Sequence, residues 1–270
     1  MFSYCGRTAL VTGASSGIGA EFARELAARG MNLILVARAE DVLKKLADQL
    51  TQQHQVSVYV VVSDLSREGA VDQVIAAVSA LDLQVDLLVN NAGVMTHGSF
   101  EQIDPAREHA EVMVNVAAVV GLTHAFLPGM LHRQSGGVIN VASIAGFQPI
   151  PYLATYAATK AFVISFSVAL REECRDRNVQ VLGLCPGTTA TELFTRGDAQ
   201  PAALGNPRTV RQVVATGLKG LDGKRSLIVD GLKNSLLTHG PRLIPRWFAA
   251  RCAGKAVRPP VSPTTTAQSQ

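Results

Sequence analysis

The sequence predicts a single α/β domain on a doubly wound, mostly parallel seven-stranded sheet with helices on both faces, and two observations carry that prediction. Seven short, continuous apolar runs alternate with longer segments of helical periodicity, the pattern of strands buried on both faces and joined by crossover helices. The first run also leads through a glycine-rich turn straight into an amphipathic helix, the arrangement that builds a ligand crevice at the carboxyl ends of an open α/β sheet. The chain's 270 residues, 47% hydrophobic and 17% charged, suffice for one compact core and exclude a disordered or collagen-like polypeptide.

Taken in order, the strand runs are Thr8 to Val11, Leu33 to Val36, Val56 to Val62, Val85 to Val89, Val138 to Val141, Val179 to Leu184 and Leu227 to Val229. Helical periodicity covers Ile18 to Arg29, Asp41 to Gln53, Ala70 to Ala80, Ala106 to His132, Thr155 to Asp176 and Arg211 to Gly220. Gly30, Gly136-Gly137 and Asn178 stand where helices should stop, since each tolerates the left-handed conformation of a helix end. Val112 to Leu131 lacks Asp, Glu, Lys and Arg, but Asn115, Thr123, His124 and Pro128 interrupt it. It therefore reads as a helix buried in a core or subunit contact rather than a membrane span. The domain is expected to occupy residues 1–255. Residues 256–270, with Pro-Pro, Ser-Pro and a Thr triplet, read as a mobile tail.

Composition narrows the setting. The start of the chain has no basic segment leading into an apolar export signal. Cys5, Cys174, Cys185 and Cys252 are irregularly spaced with no C-x-x-C pair, so a reducing, cytoplasmic compartment is expected and a zinc site is not. The six histidines form no ligand spacing either, and no metal is implied. Charge is uneven: Arg208 to Gln270 carries eleven Lys and Arg against two acids, whereas the rest has 14 basic and 19 acidic residues. The basic end reads first as a solvated face, with peripheral contact to an anionic membrane surface as the alternative. Leu236 to Ala253 carries that alternative, since it mixes apolar residues with Arg242, Arg246, Arg251 and the sole tryptophan, Trp247, although Pro241 and Pro245 break any long helix. Nucleic acid is not an expected partner.

The glycine-rich turn, Thr12 to Gly19, reads TGASSGIG. Gly13 permits the tight turn, Gly17 lets the backbone approach a pyrophosphate, and Gly19 lets the helix lie close to the sheet. The N–H groups at the helix start, around Ser15, Ser16 and Ile18, then face an anion. A glycine-rich connection with no ligand is the competing reading. After the second strand, where an acid would accept from a ribose 2′-hydroxyl, the chain has Ala37-Arg38. The planar fork of Arg38 suits a 2′-phosphate, which predicts NADP(H) over NAD(H), although Arg38 has Glu40 and Asp41 close by as alternative partners. Asp64 with Leu65, and Asn91-Ala92-Gly93, follow the third and fourth strands, where they would line the adenosine and ribose; as ordinary turn formers they also have a purely local explanation.

The sharpest feature is Tyr156-Ala157-Ala158-Thr159-Lys160 within a helical stretch. Tyrosine and lysine at i and i+4 share a face, and a fixed ammonium favours the phenolate of its neighbour, which would let the phenol transfer protons near neutrality. Ser143 follows the fifth strand and converges on the same crevice, where its hydroxyl would polarise a carbonyl oxygen.

With TGASSGIG, Asp64, Asn90-Asn91-Ala92-Gly93, Asn115, Ser143, Tyr156-x-x-x-Lys160 and Pro186-Gly187 in that order over about Arg7 to Gly231, the chain resembles the short-chain dehydrogenase/reductase family, the branch of roughly 250 residues. The resemblance implies a Rossmann fold, a nicotinamide cofactor and oxidation of alcohols or reduction of carbonyls. It assigns Tyr156 as acid/base, Lys160 to lower the tyrosine's pKa and hold the nicotinamide ribose, Ser143 to orient the substrate oxygen, and Asn115 to hold a water linking Lys160 to solvent. Pro186 and Gly187 would cover the nicotinamide and Thr191 would contact its carboxamide, with Thr188 and Thr189 as second candidates. A homodimer or homotetramer acting on a small carbonyl or alcohol substrate is also implied. Ile144, Phe147, Ile150, Pro151, Tyr152 and Leu153, between the serine and the tyrosine, favour an apolar substrate unless they are loop packing. Leu193, Phe194, Pro201, Leu204 and Pro207 would roof it. The competing classes are a binding-only NADP(H) protein of the same fold and a membrane-surface scaffold.

Overall fold

The computed structural model describes residues 2–189, 207–240 and 244–259. Seven strands, β1 (Thr8–Thr12), β2 (Asn32–Ala37), β3 (Val58–Val62), β4 (Leu87–Asn90), β5 (Gly136–Val141), β6 (Val179–Cys185) and β7 (Leu227–Val229), form one sheet in the order β3-β2-β1-β4-β5-β6-β7. Every pairing is parallel, so the expected mostly parallel sheet is parallel throughout. The order reverses between β1 and β4, which opens a crevice at their carboxyl ends.

Helices α1 (Gly17–Ala28), α2 (Glu40–His54), α3 (Ala70–Ala80), α4 (Pro105–His132), α5 (Ala154–Glu173) and α6 (Val210–Asp222) cover the two faces. Period-two alternation along each strand sorts the core. Ala9, Val11, Leu33 and Leu35 pack with Phe22 and Leu26 of α1, Leu43 of α2 and Leu218 of α6. Leu10, Ile34, Leu88 and Val138 face the other way, onto Val74 of α3 and Leu122 and Met130 of α4. β1, β4, β5 and β6 are buried along their whole length, which is why they read as uninterrupted apolar runs.

By length and composition α4 passes as a membrane span, yet Ala118, Leu122 and Met130 are core residues on the sheet. It begins at an Asp104 cap, whose carboxylate accepts from Ala106 N at 2.9 Å. Met113–Ala117 then form a π turn, which widens the helix for one turn and contains Asn115.

Leu236 to Ala253 divides into two helices, α7 (Leu232–Leu237) and α8 (Arg246–Val257), with Pro245 at the cap of the second. α8 runs through the expected boundary at residue 255, so Ala256 and Val257, placed in the tail by sequence, are helical. The remainder of that tail, residues 260–270, lies outside the described residues, as do Pro241 and Arg242. Other element ends agree with expectation to within a few residues, the usual scatter of boundaries.

Candidate active site

The carboxyl ends of β1 and β4 are tied together by one hydroxyl and one amide. Thr12 Oγ1 accepts from the backbone N–H of Asn91 at 3.0 Å and of Ala92 at 2.9 Å. In return the Asn91 side-chain amide donates to Thr12 O at 2.8 Å and Gly13 O at 3.3 Å. The glycines make room for this knot. A Cβ on Gly13, which sits at φ +64°, would lie 2.9 Å from Ala92 Cα, and one on Gly19 would lie 2.3 Å from Gly13 O. Gly17 also takes a left-handed φ of 56° and opens α1 toward the crevice.

One cleft of about 640 Å³ runs past these elements, a volume suited to a cofactor. Its walls bring together Gly13, Ser15, Ser16, Gly17, Ile18, Arg38, Asp64, Leu65, Asn91, Ala92, Gly93, Ser143, Tyr156, Lys160, Pro186, Gly187 and Thr189. Gly19 serves by packing behind the wall. Thr191, Leu193, Phe194, Pro201 and Leu204 lie outside the described residues. The donor set fits a dinucleotide: bare backbone at a helix start for a pyrophosphate, an arginine beyond β2 and an acid beyond β3. Glu40 pairs with Lys44 at 2.7 Å; among the described residues Arg38 has no carboxylate within ion-pair distance, although its charge acts on Asp64 and favours that carboxylate. Asp64 is partly buried, which opposes ionisation, but Ser66 donates to it from Oγ at 2.8 Å and N at 3.2 Å and holds its carboxyl below the usual range.

Toward the other end of the cleft, Ser143 starts a short helical turn, Ile144–Phe147, and accepts from Ala145 N at 3.1 Å. This turn lies directly on α5. A Cβ on Gly146 would sit 2.6 Å from the carbonyl carbon of Lys160 and 2.7 Å from Ala161 N. Gly146 therefore sets how closely Ser143 approaches the Tyr156 and Lys160 helix, a role that sequence inspection missed and that only the packing shows.

Tyr156 and Lys160 are almost completely buried. The Lys160 ammonium donates to Val141 O at 3.0 Å and stands over the Tyr156 ring, 5.7 Å from its centre. It thus faces both the ring and a carbonyl oxygen. Burial pushes Tyr156 up to about 12, while the Ser143 hydroxyl favours the phenolate and Glu111 opposes it. Burial also brings Lys160 down to about 8, against the pull of Glu111.

Asn115 does not line the cleft. Its amide oxygen accepts from Val94 N at 3.0 Å, and its nitrogen donates to Val94 O at 2.9 Å and Thr159 Oγ1 at 3.1 Å. The side chain is thus a staple joining the loop after β4 to α4 and α5. A Cβ on Gly93 would approach Asn115 Oδ1 at 3.3 Å and Lys160 Nζ at 3.4 Å, so this glycine lets the same loop reach the lysine.

The segment between serine and tyrosine divides its apolar residues. Phe147 packs with Ala142, Val163 and Cys185, whereas Leu153 and Ala145 join Met95 and Tyr156 beside the cleft. Pro151 and Tyr152 meet α8: a Cβ on Gly254 would lie 3.0 Å from Pro151, and Arg258 donates to the Tyr152 hydroxyl at 3.1 Å. His97 binds Val257 O at 2.8 Å from the other side.

Comparison with known proteins agrees with this architecture. The family model described as short chain dehydrogenase matches residues 7–202. Very-long-chain 3-oxoacyl-CoA reductase of Bos taurus is 34% identical over 70% of this chain and 62% of its own length, and that of Mus musculus is 31% identical over 90% and 77%. The chain therefore spans about three fifths of the bovine relative. A solved short-chain dehydrogenase from Sphingobium yanoikuyae, in complex with NADPH, superposes with a TM-score of 0.80 at 31% identity, covering 88% of this chain and 94% of that one. The chain belongs to the short-chain dehydrogenase/reductase family.

Gly146→Ala should cost about 1–3 kcal/mol, because the neighbouring atoms are backbone and cannot yield. Urea unfolding measures this, and an unchanged midpoint would contradict the seating of the Ser143 turn.

Proposed function

We propose that the protein is an NADP(H)-dependent oxidoreductase that interconverts a ketone or aldehyde with an alcohol. The observation that carries this reading is the meeting of Ser143, Tyr156 and Lys160 in the same cleft as the glycine-rich turn. When bound, the dinucleotide supplies or accepts a hydride at the substrate carbon. Ser143 orients the substrate oxygen, and Tyr156 gives that oxygen its proton or takes it away. With its phenol pushed up to about 12, Tyr156 holds a proton at neutral pH that it can donate to the substrate oxygen. Lys160 supports the site by its charge and its bond to Val141 O.

An apolar carbonyl substrate is favoured by Met95, Ala145 and Leu153 around Tyr156, and the long-chain acyl names of the curated relatives point the same way. NADP(H) is favoured over NAD(H) by Arg38, which lines the cleft beyond β2, and by the NADPH complex of the similar structure. Exposed Val112 and Val120 on α4, with Phe162 and Val168 on α5, support a helix-to-helix contact between copies in a dimer or tetramer.

The basic C-terminal region supports peripheral contact of a cytoplasmic enzyme with an anionic membrane surface. Leu232, Leu236, Trp247 and Phe248 are exposed, Arg251 lies over Trp247, and no acid follows Asp230 in the sequence. Apolar residues with cations and no acids match an interfacial segment.

Tyr156→Phe should keep NADPH binding and lose at least about two orders of magnitude in turnover against a ketone panel, as loss of general acid catalysis requires; near-normal turnover would refute the assignment. Arg38→Ala should raise KM for NADPH well above any change for NADH, through loss of a charge-assisted contact. Equal effects on both cofactors would remove the NADP(H) preference. Sedimentation should give a dimer or tetramer in buffer and pelleting with phosphatidylglycerol vesicles but not with phosphatidylcholine, with a blue shift of the single tryptophan's emission. A monomer removes the helix contact, and no pelleting on anionic vesicles removes the membrane reading.

A further inference from the structure

The loop after β4 carries Met95, which packs against the buried Tyr156, and the loop is tied to α5 on either side of that methionine. On one side Val94 is held by the Asn115 amide, which also donates to Thr159 Oγ1 at 3.1 Å. On the other side Thr96 reaches α5 through a side chain that the proposed chemistry leaves unused. Its hydroxyl stands 2.7 Å from Glu108 Oε1, and the Thr155 hydroxyl donates to the second oxygen of the same carboxylate. Thr155 and Thr159 lie about one helical turn apart on α5, and Tyr156 directly follows Thr155. The contacts close a ring. It runs from Tyr156 and its neighbour Thr155, through the Glu108 carboxylate, to Thr96 and its neighbour Met95, which returns to Tyr156.

A second carboxyl fixes the direction of the bonds in this ring. Thr96 Oγ1 also stands 2.6 Å from Glu111 Oε2, which accepts from Thr96 N at 3.0 Å. A threonine hydroxyl has one proton and can donate to one carboxylate only, so the other short contact needs a proton on a carboxyl. Glu111 is completely buried and its Oε1 has no partner among the described residues, whereas Glu108 is half-buried and meets a hydroxyl on each oxygen. Burial, which raises the Glu111 carboxyl to about 7, makes it the better place for the proton. Glu111 then donates to Thr96, and Thr96 donates to Glu108. Glu108 is thus an ionised acceptor of two hydroxyl protons, one from the cleft loop and one from α5, and bonds to an ionised acceptor are about twice as strong as neutral ones.

We propose that Glu108 is a positioning residue that sets where Met95 stands against Tyr156, and with it the fit of an apolar carbonyl substrate beside the phenol. Glu108 does for Thr96 and Thr155 what Asn115 does for Val94 and Thr159. Thr96 and Met95 line the cleft and Glu108 does not, so it acts through them. The inference rests on the oxidoreductase reading above and deepens it.

Thr96→Val and Thr155→Val each remove one hydroxyl and keep the branched shape of the side chain. Each should raise KM for an apolar ketone about tenfold, less than the roughly hundredfold that a misplacement of about 1 Å can cost. The dissociation constant for NADPH, read by fluorescence titration without ketone, should stay at the wild-type value. Because both substitutions open the same ring, the double variant should also lose about tenfold rather than about a hundredfold. Thr96→Ser, which keeps the hydroxyl, should keep the wild-type KM, and Glu108→Ala should match the double variant. Losses that multiply in the double variant, or a kcat that falls in step with the folded fraction at unchanged KM, are what independent packing contacts predict and would overturn the proposal. Wild-type KM in every variant, beside normal wild-type turnover, would sink the role of Glu108 and leave the enzyme reading standing. A wild-type protein that binds NADPH and reduces no carbonyl would remove the enzyme reading and, with it, the role of Glu108.

Discussion

The functional half of this molecule depends on the knot between Thr12 and Asn91. In an open parallel sheet the switch between β1 and β4 leaves two strand ends side by side, with nothing in the ladder to join the loops that leave them. Here one threonine hydroxyl takes both backbone N–H groups beyond β4, and one asparagine amide closes the turn beyond β1. The glycine-rich turn and the loop that reaches Lys160 are thereby joined. Gly13 and Gly19 are glycine because the knot fills the space where a Cβ would stand.

The reacting end is organised on a different principle. Tyr156 and Lys160 are buried in the cleft wall, where the charged form of either group is disfavoured. Packing holds them there: the Ser143 turn rests on α5 through Gly146, and the Asn115 amide pins the opposite wall to Thr159. Side-chain oxygens of Glu108, Glu111 and Thr155 form a polar layer that meets the cleft wall at Thr96. Burial of this kind is costly unless hydrogen bonds are satisfied, and nearly all of these are, the orphan oxygen of Glu111 excepted.

The C-terminal helices link the site to the surface. The end of α8 is fastened to Tyr152, Pro151 and His97 at the rim of the cleft, while its other end carries the exposed Trp247 and Phe248. Contacts to the segments beside the cleft and residues open to solvent thus belong to one short element.

The sheet and its helices were legible in the chain because burial on both faces writes each central strand as a continuous apolar run, and the glycine turn lies between the first such run and a helix with clear periodicity. The cofactor wall was legible for the same local reason: Gly13 to Gly19, Arg38 and Asn91 to Gly93 each follow a strand end. Sequence spacing also placed Tyr156 and Lys160 on one helix face, but not their burial, since desolvation depends on what surrounds a group rather than on what adjoins it in the chain. The helix end that carries Ala256 and Val257 meets His97, and Arg258 just beyond it meets Tyr152, more than a hundred residues away. Gly146 acquired its role, and the oxygens of Thr96, Glu108 and Glu111 met, only when α4, α5 and the loop after β4 were packed together. Local periodicity specifies elements; a hydrogen bond between side chains or a missing Cβ has meaning only between them.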